Sequence, residues 1–359
     1  MQKISFPGRA GFQKELKKRV NRYFEKNNIS QNGDWRMFVK TAVIMAVLIT
    51  SYVSLVFFEI NLFLAIIAAI TFAVSSALVG FNIMHDANHG SYSKNKKING
   101  VLSYTLELVG ASNWLWRHKH NILHHTYTNI DELDDDIHLG GLMRLSPVQK
   151  RHSWHRFQHI YAFPAYSLLT IIWVTFGDLY KLVSGRIGEY KLPKPTLKNA
   201  SIFFVSKSLY YFYTLILPMF FHPIWLVIIF FIATHLLLGF ITSIVFQLAH
   251  TVEGNSFPSP DPSSGQIENE WAIHEVETTA NFARRNKLAT WMLGGLNFQI
   301  EHHLFPRICH VHYPEISKIV EQTCKDFGIS YLSYPSVRAA VGAHVRFLKQ
   351  LGRGELAFS

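Results

Sequence analysis

Four stretches of about twenty mostly apolar residues dominate this chain, each long enough to cross the hydrocarbon core of a bilayer as a helix. They lie at residues 39–58, 62–81, 201–221 and 224–248. Backbone N–H and C=O groups find no partner in lipid, so such segments are helical or lie in a closed barrel, and runs this long and continuously apolar are helices. Glu59-Ile60-Asn61 leaves room only for a tight turn between the first two, and His222-Pro223 turns the second pair. The pattern predicts an all-α integral membrane protein with four transmembrane helices in two hairpins. Charged residues make up 16% of the chain, against about 25% in soluble domains. Two weaker apolar stretches, 101–116 and 160–177, are interrupted by Glu107 and Gly110 in one and by Pro164 in the other. They suit interfacial or re-entrant helices.

Charge orients the chain. The formal net charge is +11, and Lys14, Lys17, Lys18, Arg19 and Arg22 crowd the segment before the first span. Basic segments stay on the cytoplasmic side and meet anionic lipid there, so the charge is read as a membrane signature and no nucleic-acid partner is expected. The chain then reads as one domain, 1–359. Residues 1–38 are a basic cytoplasmic segment and 39–81 the first hairpin. Residues 82–200 form part of a cytoplasmic cap, 201–248 the second hairpin and 249–359 the rest of the cap. No signal peptide is apparent in residues 1–38. Cys309 and Cys324 form no CxxC pair, which excludes a disulfide framework and a zinc knuckle. Residues 252–268, rich in Pro, Gly and Ser, read as a flexible surface loop.

Three histidine clusters carry the chemistry: HDANH at 85–89, HNILHH at 120–125, and QIEHH at 299–303. Residues four apart share a helix face, so His85/His89 and His120/His124 can each aim two rings at one spot. Adjacent histidines on a helix point about 100° apart, so His124/His125 can serve two metals, or one metal and one partner. Seven histidines arranged this way imply a polynuclear metal site. One shared site also requires an even number of membrane crossings between clusters, which four spans supply and a fifth at 160–177 would not. His250, at the mouth of the last span, is expensive there unless bound or paired, and is the next ligand candidate. Gln299 can coordinate through its carbonyl oxygen or through water. Asp86, Asn88, Asn129, Asp134, Asp136 and, more weakly, His274 are placed to fix ring tautomers, or else are solvated. His235 within a span is read as hydrogen-bonded to a neighbouring helix, and His152, His155 and His159 as surface contacts. His118 faces away from His120. No HExxH is present, which argues against a zinc peptidase, and no Glu-x-x-His pair of the soluble di-iron bundles. Nitrogen-rich ligation suits iron, copper, nickel or zinc.

These motifs, with TYTN at 126–129, FQLAH at 246–250 and NFQIEHHLFP at 297–306, resemble the membrane fatty acid desaturases over about residues 35–350. Gln299 in place of His is similar to the front-end branch, which acts between an existing double bond and the carboxyl end. The resemblance implies two irons, with O2 as co-substrate. The implied ligands are His85, His89, His120, His124, His125, His250, His302 and His303, with Gln299 in the ninth place and no catalytic residue beyond them. It implies a cis double bond formed in a CoA- or lipid-linked acyl chain. A related di-iron hydroxylase or a sphingolipid desaturase would share the ligands. The second box is H-x-x-x-H-H where many front-end members have H-x-x-H-H, which leaves the rotation of His120 relative to His124 open. No HPGG haem motif of a fused cytochrome b5 domain occurs, so the resemblance implies an external electron donor of ferredoxin or cytochrome b5 type. Arg117, Lys119, Arg284 and Arg285 can receive a substrate phosphate, or are ordinary interfacial cations.

Overall fold

The computed structural model describes residues 4–8 and 11–356. Four helices are long and apolar enough to cross a membrane: Trp35–Phe57, Leu62–His89, Leu197–Phe220 and Ile224–His250. Three open on a side chain that accepts from a free backbone N–H of the first turn, as N-caps do. Asp34 accepts from Arg36 N, Asn61 from Leu64 N and Thr196 from Asn199 N. The fourth begins after Pro223.

The second and fourth helices outrun the membrane. They contain 28 and 27 residues, or about 40 Å each at about 1.5 Å per residue, against a hydrocarbon core of about 30 Å. Each helix is therefore longer than the core is thick, and the last turns carry His85, His89 and His250. Sequence reading ended these spans at 81 and 248. The helices instead run on through the histidines, the second by way of a π-helical turn at Gly80–Met84.

The stretch around 160–177 is a bent pair, Ser153–Ser167 and Leu169–Ser184, with 52° between its halves. Both halves pack on the fourth long helix. Because the histidines from before and after this pair meet in one place, it is not a fifth full crossing. Gly239 permits the approach: a Cβ there would lie 2.4 Å from the Ser167 carbonyl oxygen. The stretch around 101–116 is broken into the short helices Lys96–Ser103, Thr105–Leu108 and Asn113–Trp116.

Beyond the long helices, the basic N-terminal segment contains a helix, Phe12–Lys26. Phe12, Leu16, Val20 and Phe24, four apart, bury one stripe against Ile316 and Val320 of helix Tyr313–Asp326 and against Phe298 and Ile300 beside the third histidine cluster. The loop at 252–268 is tied down at its end, since Ile267 N donates to Ser5 O at 2.9 Å and Ser5 N to Gly265 O at 3.1 Å. Two short strand pairs complete the fold, Arg186–Ile187 with Tyr190–Lys191 and Asn281–Phe282 with Ser333–Tyr334.

Gly239→Val should force the fourth helix off the bent pair and destabilise the protein by about 1–3 kcal/mol, the usual range for overpacking. Gly100→Ala, in a helix with nothing within 4 Å of the added methyl, should be neutral or stabilising by up to about 1 kcal/mol. Thermal unfolding of both variants in detergent checks the contrast.

Candidate metal centre

Four separate chain segments bring eight histidines together. His85 and His89 end the second long helix with ring centroids 4.8 Å apart. His120, His124 and His125 lie on a helix that begins at Asn113–Trp116 and becomes π-helical over Arg117–His124. His250 ends the fourth long helix, and His302 and His303 sit in helix Gln299–Leu304. Their donor nitrogens fall into neighbouring groups. Those of His85, His89, His120 and His302 lie within 4.8 Å of one another, as do those of His124, His250 and His303. His125 joins His302 and His303 in a third such group. Adjacent His302 and His303 have ring planes at 84°, so His302 alone joins the first group and His303 alone the second, and they share only the third.

The π-helix alters the pairing expected for the second cluster. Hydrogen bonds from i to i+5 widen the turn, and residues five apart come together. His120 Nε2 and His125 Nε2 are 3.2 Å apart, while the His120 and His124 rings are stacked at 5.2 Å between centroids. Helical spacing of 3.6 pairs His120 with His124 only.

Each ring in a metal site needs one free nitrogen and one held nitrogen. His124 Nδ1 lies 3.1 Å from both oxygens of Asp134 and 3.4 Å from Asp136. His303 Nδ1 meets Glu275 Oε2 at 2.7 Å, and Thr128 Oγ1 donates to the same oxygen at 2.9 Å. His302 Nδ1 meets the Tyr313 hydroxyl at 3.2 Å. The Nε2 atoms of these three rings are buried without a protein partner, as are His89 Nε2, His125 Nδ1, both nitrogens of His85 and His250, and Gln299 Oε1. Trp116 stacks on His120 at 4.4 Å.

Electrostatics favour the neutral form at four of these rings. Burial pushes His120, His125, His302 and His303 well below the ordinary imidazole range, and neighbouring histidines add to the shift. His124 moves upward, because Asp134 and Asp136 outweigh its burial. Burial lifts the Glu275 carboxyl well above its usual range. A buried unpaired polar atom costs about 1–3 kcal/mol, and this many in one place need a shared partner. Ring nitrogens gathered within 4.8 Å of one another without protein partners need only a small inward adjustment to meet metal ions at about 2.1 Å from each ligand, so the residues present fit a two-metal centre.

The other candidates divide. Asp134 and Asp136 contact a cluster histidine directly. Asn129, at φ 59°, holds backbone: its Nδ2 donates to His250 O at 2.9 Å and to Thr278 O at 3.1 Å. Asp86 lies 3.7 Å from His85 Nδ1, but its shorter contact is to His310 Nδ1 at 2.8 Å. The Asn88 side chain donates to Met84 Sδ at 3.8 Å, and its backbone carbonyl accepts from Asn121 Nδ2. His274 packs edge-on against Phe6 at 5.1 Å, and its neighbour Glu275 makes the contact to the cluster. Of the four cations, Lys119 bridges Asp136 at 2.7 Å and Asp135 at 3.3 Å. Arg284 pairs with Glu321 at 2.9 Å and covers Tyr331. Arg117 and Arg285 are exposed. Glu275, Tyr313 and Trp116 were not singled out from the sequence as partners. For Glu275 the available signal is an acid set between Ile273 and Val276 in a seven-residue helix.

A family model described as fatty acid desaturase matches residues 60–335. The chain is 37% identical over 354 residues to an sn-1 linoleoyl-lipid 6-desaturase of Synechocystis sp., covering 98% of both chains. It is 36% identical over 353 residues to the protein of the same description from Arthrospira platensis, covering 97% of this chain and 95% of that one. An acyl-lipid (8-3)-desaturase of Physcomitrium patens is 37% identical over 344 residues, 95% of this chain and 71% of its own.

Glu275→Ala should weaken binding of a divalent metal about 10–100-fold, the usual effect of removing the group that orients a ligand histidine. Chelator competition on the purified protein reads it, and an unchanged affinity would contradict the orienting role.

Proposed function

The chain belongs to the fatty acid desaturase family, and on that premise we propose that it is a front-end desaturase of lipid-linked, already unsaturated acyl chains. The reaction converts –CH2–CH2– to a cis –CH=CH–, with O2, two electrons and two protons giving two waters. The observation that carries the reading is an apolar cavity that reaches His85. It is lined by Met84, Trp116, Trp173, Leu238 and Phe246, among others. The names of the three relatives above, two linoleoyl-lipid desaturases and one acyl-lipid desaturase, favour a lipid-linked substrate over acyl-CoA.

One iron would be held by His85, His89, His120 and His302, and the other by His124, His250 and His303. His125 would lie between them, with Gln299 Oε1 available as a further oxygen ligand. Two irons bound there would activate O2, the oxidant of the reaction. The protein does the rest. Asp134, Glu275 and Tyr313 hold Nδ1 of His124, His303 and His302 and leave each Nε2 toward the centre. The apolar wall around His85 excludes water and fixes which methylene pair faces the ligands, and positioning of this kind sets which bond forms. Membrane arrangement follows the charge: two hairpins, with the histidine end and its surrounding short helices as a cytoplasmic cap. Arg117 and Arg285 remain available to a phosphate head group. Electrons come from a separate donor of ferredoxin or cytochrome b5 type.

Expression with such a donor in a host lacking front-end desaturases, followed by fatty-acid analysis, tests the proposal. A new double bond on the carboxyl side of an existing one is expected, and His302→Ala should abolish it. A hydroxylated product, or none from iron-loaded and reducible protein, would overturn it.

A further inference from the structure

The cavity against His85 is too small for an acyl chain. Its volume is about 60 Å³, while pockets that enclose a ligand run from roughly 300 to 1,000 Å³. A second cavity, of about 360 Å³, lies on the same axis among the four long helices, at the end away from the histidines. On the second helix, Ala65 and Phe72 line the outer cavity and Ser76 to His85 the inner one. On the fourth helix, the outer cavity ends at His235 and the inner one begins at Leu238. About one helical turn separates them.

A hydrogen-bonded triad occupies that turn. The Tyr210 hydroxyl and His235 Nε2 are 2.7 Å apart. His235 Nδ1 lies 3.2 Å from Thr170 Oγ1, which itself donates to the His235 carbonyl at 2.8 Å. Tyr210 and His235 line the outer cavity, and Thr170 the inner one. A polar group within a span is expensive and calls for a reason. Here every ring nitrogen has a partner, and the triad joins three helices across the one place where the two cavities would meet. Gly110 fits it there: at φ 88° it stands where a Cβ would fall 2.7 Å from the Tyr210 ring. At its far end the outer cavity is lined by His222, which bonds the Val56 carbonyl at 3.1 Å.

We propose that the acyl chain occupies both cavities, with the oxidised carbon pair beside His85 and the methyl-end segment past the triad, between it and the Phe72–Ala77 face of the second helix. Tyr210, His235 and Thr170 are then the constriction that sets which chain lengths are accepted. This inference rests on the desaturase reading above.

The test varies only the methyl end. A desaturase-deficient host carrying the chain and an electron donor is fed cis-unsaturated acids of 14 to 20 carbons, with the existing double bond at a constant distance from the carboxyl. Thr234→Phe fills the outer cavity from the fourth helix and leaves Tyr210, His235 and Thr170 themselves unsubstituted. It should lower conversion of the longest acids relative to the shortest by about tenfold or more, within the range that methylene-sized differences give in apolar pockets. Ala65→Phe fills it from the second helix and should act alike, so the reading survives misfolding of either variant. Tyr210→Phe removes the hydroxyl link and should raise conversion of the longest acids relative to the others. Iron content of the purified variants reports folding. An unchanged length profile in well-folded filled variants, or a uniform loss across all lengths, overturns occupancy of the outer cavity. An unchanged profile in Tyr210→Phe overturns the constriction. No new double bond from the wild-type chain would count against the desaturase reading instead.

Discussion

An imidazole nitrogen that is buried, neutral and unprotonated must be satisfied by something, and at the centre of this protein the chain supplies nothing. Nitrogens of His85, His89, His124, His125, His250, His302 and His303 converge without protein partners. Leaving them so would cost roughly 1–3 kcal/mol each. That is a large charge against a fold whose net stability is about 5–15 kcal/mol. The same burial that makes the nitrogens costly favours the neutral form of His125, His302 and His303, the state in which a metal can use them. Much of the remaining architecture serves to hold them in register.

Two long helices deliver the first part of that register. Both end on the same side, both exceed the thickness of the hydrocarbon, and both carry histidines on their last turns. The bent pair Ser153–Ser184 packs against the fourth helix and lets the chain return to the second span pair without an extra crossing. The amphipathic helix Phe12–Lys26 and helix Tyr313–Asp326 wall the far side of the third cluster, and Tyr313 reaches from that wall to His302. The two apolar cavities lie in the other direction, along the axis between the long helices.

The legible part of this arrangement was local. Apolar runs of span length, the tight turns at 59–61 and 222–223, and histidines four apart or adjacent are periodic signals, and the helices at Leu62–His89, Ile224–His250 and Gln299–Leu304 follow them. Proximity of His120 to His125 was hidden because it depends on a π-helical turn, which no 3.6-residue pattern encodes. Glu275 and Tyr313 were hidden for a different reason: they meet His303 and His302 only through the tertiary fold. The buried stripe of Phe12, Leu16, Val20 and Phe24 was visible at helical spacing and was masked by the basic residues between. The hydrogen bonds of His235 were expected; its place between two cavities was not, because nothing in one helix reports where a void lies.

The central claim is that these histidines hold two irons as one centre. Iron quantification on the purified protein, combined with Mössbauer spectroscopy of the same iron-57-loaded sample, tests it most directly. The account predicts two irons per chain, nitrogen-rich in ligation and magnetically coupled when oxidised. One iron per chain, uncoupled iron, or zinc as the metal retained through purification would contradict it.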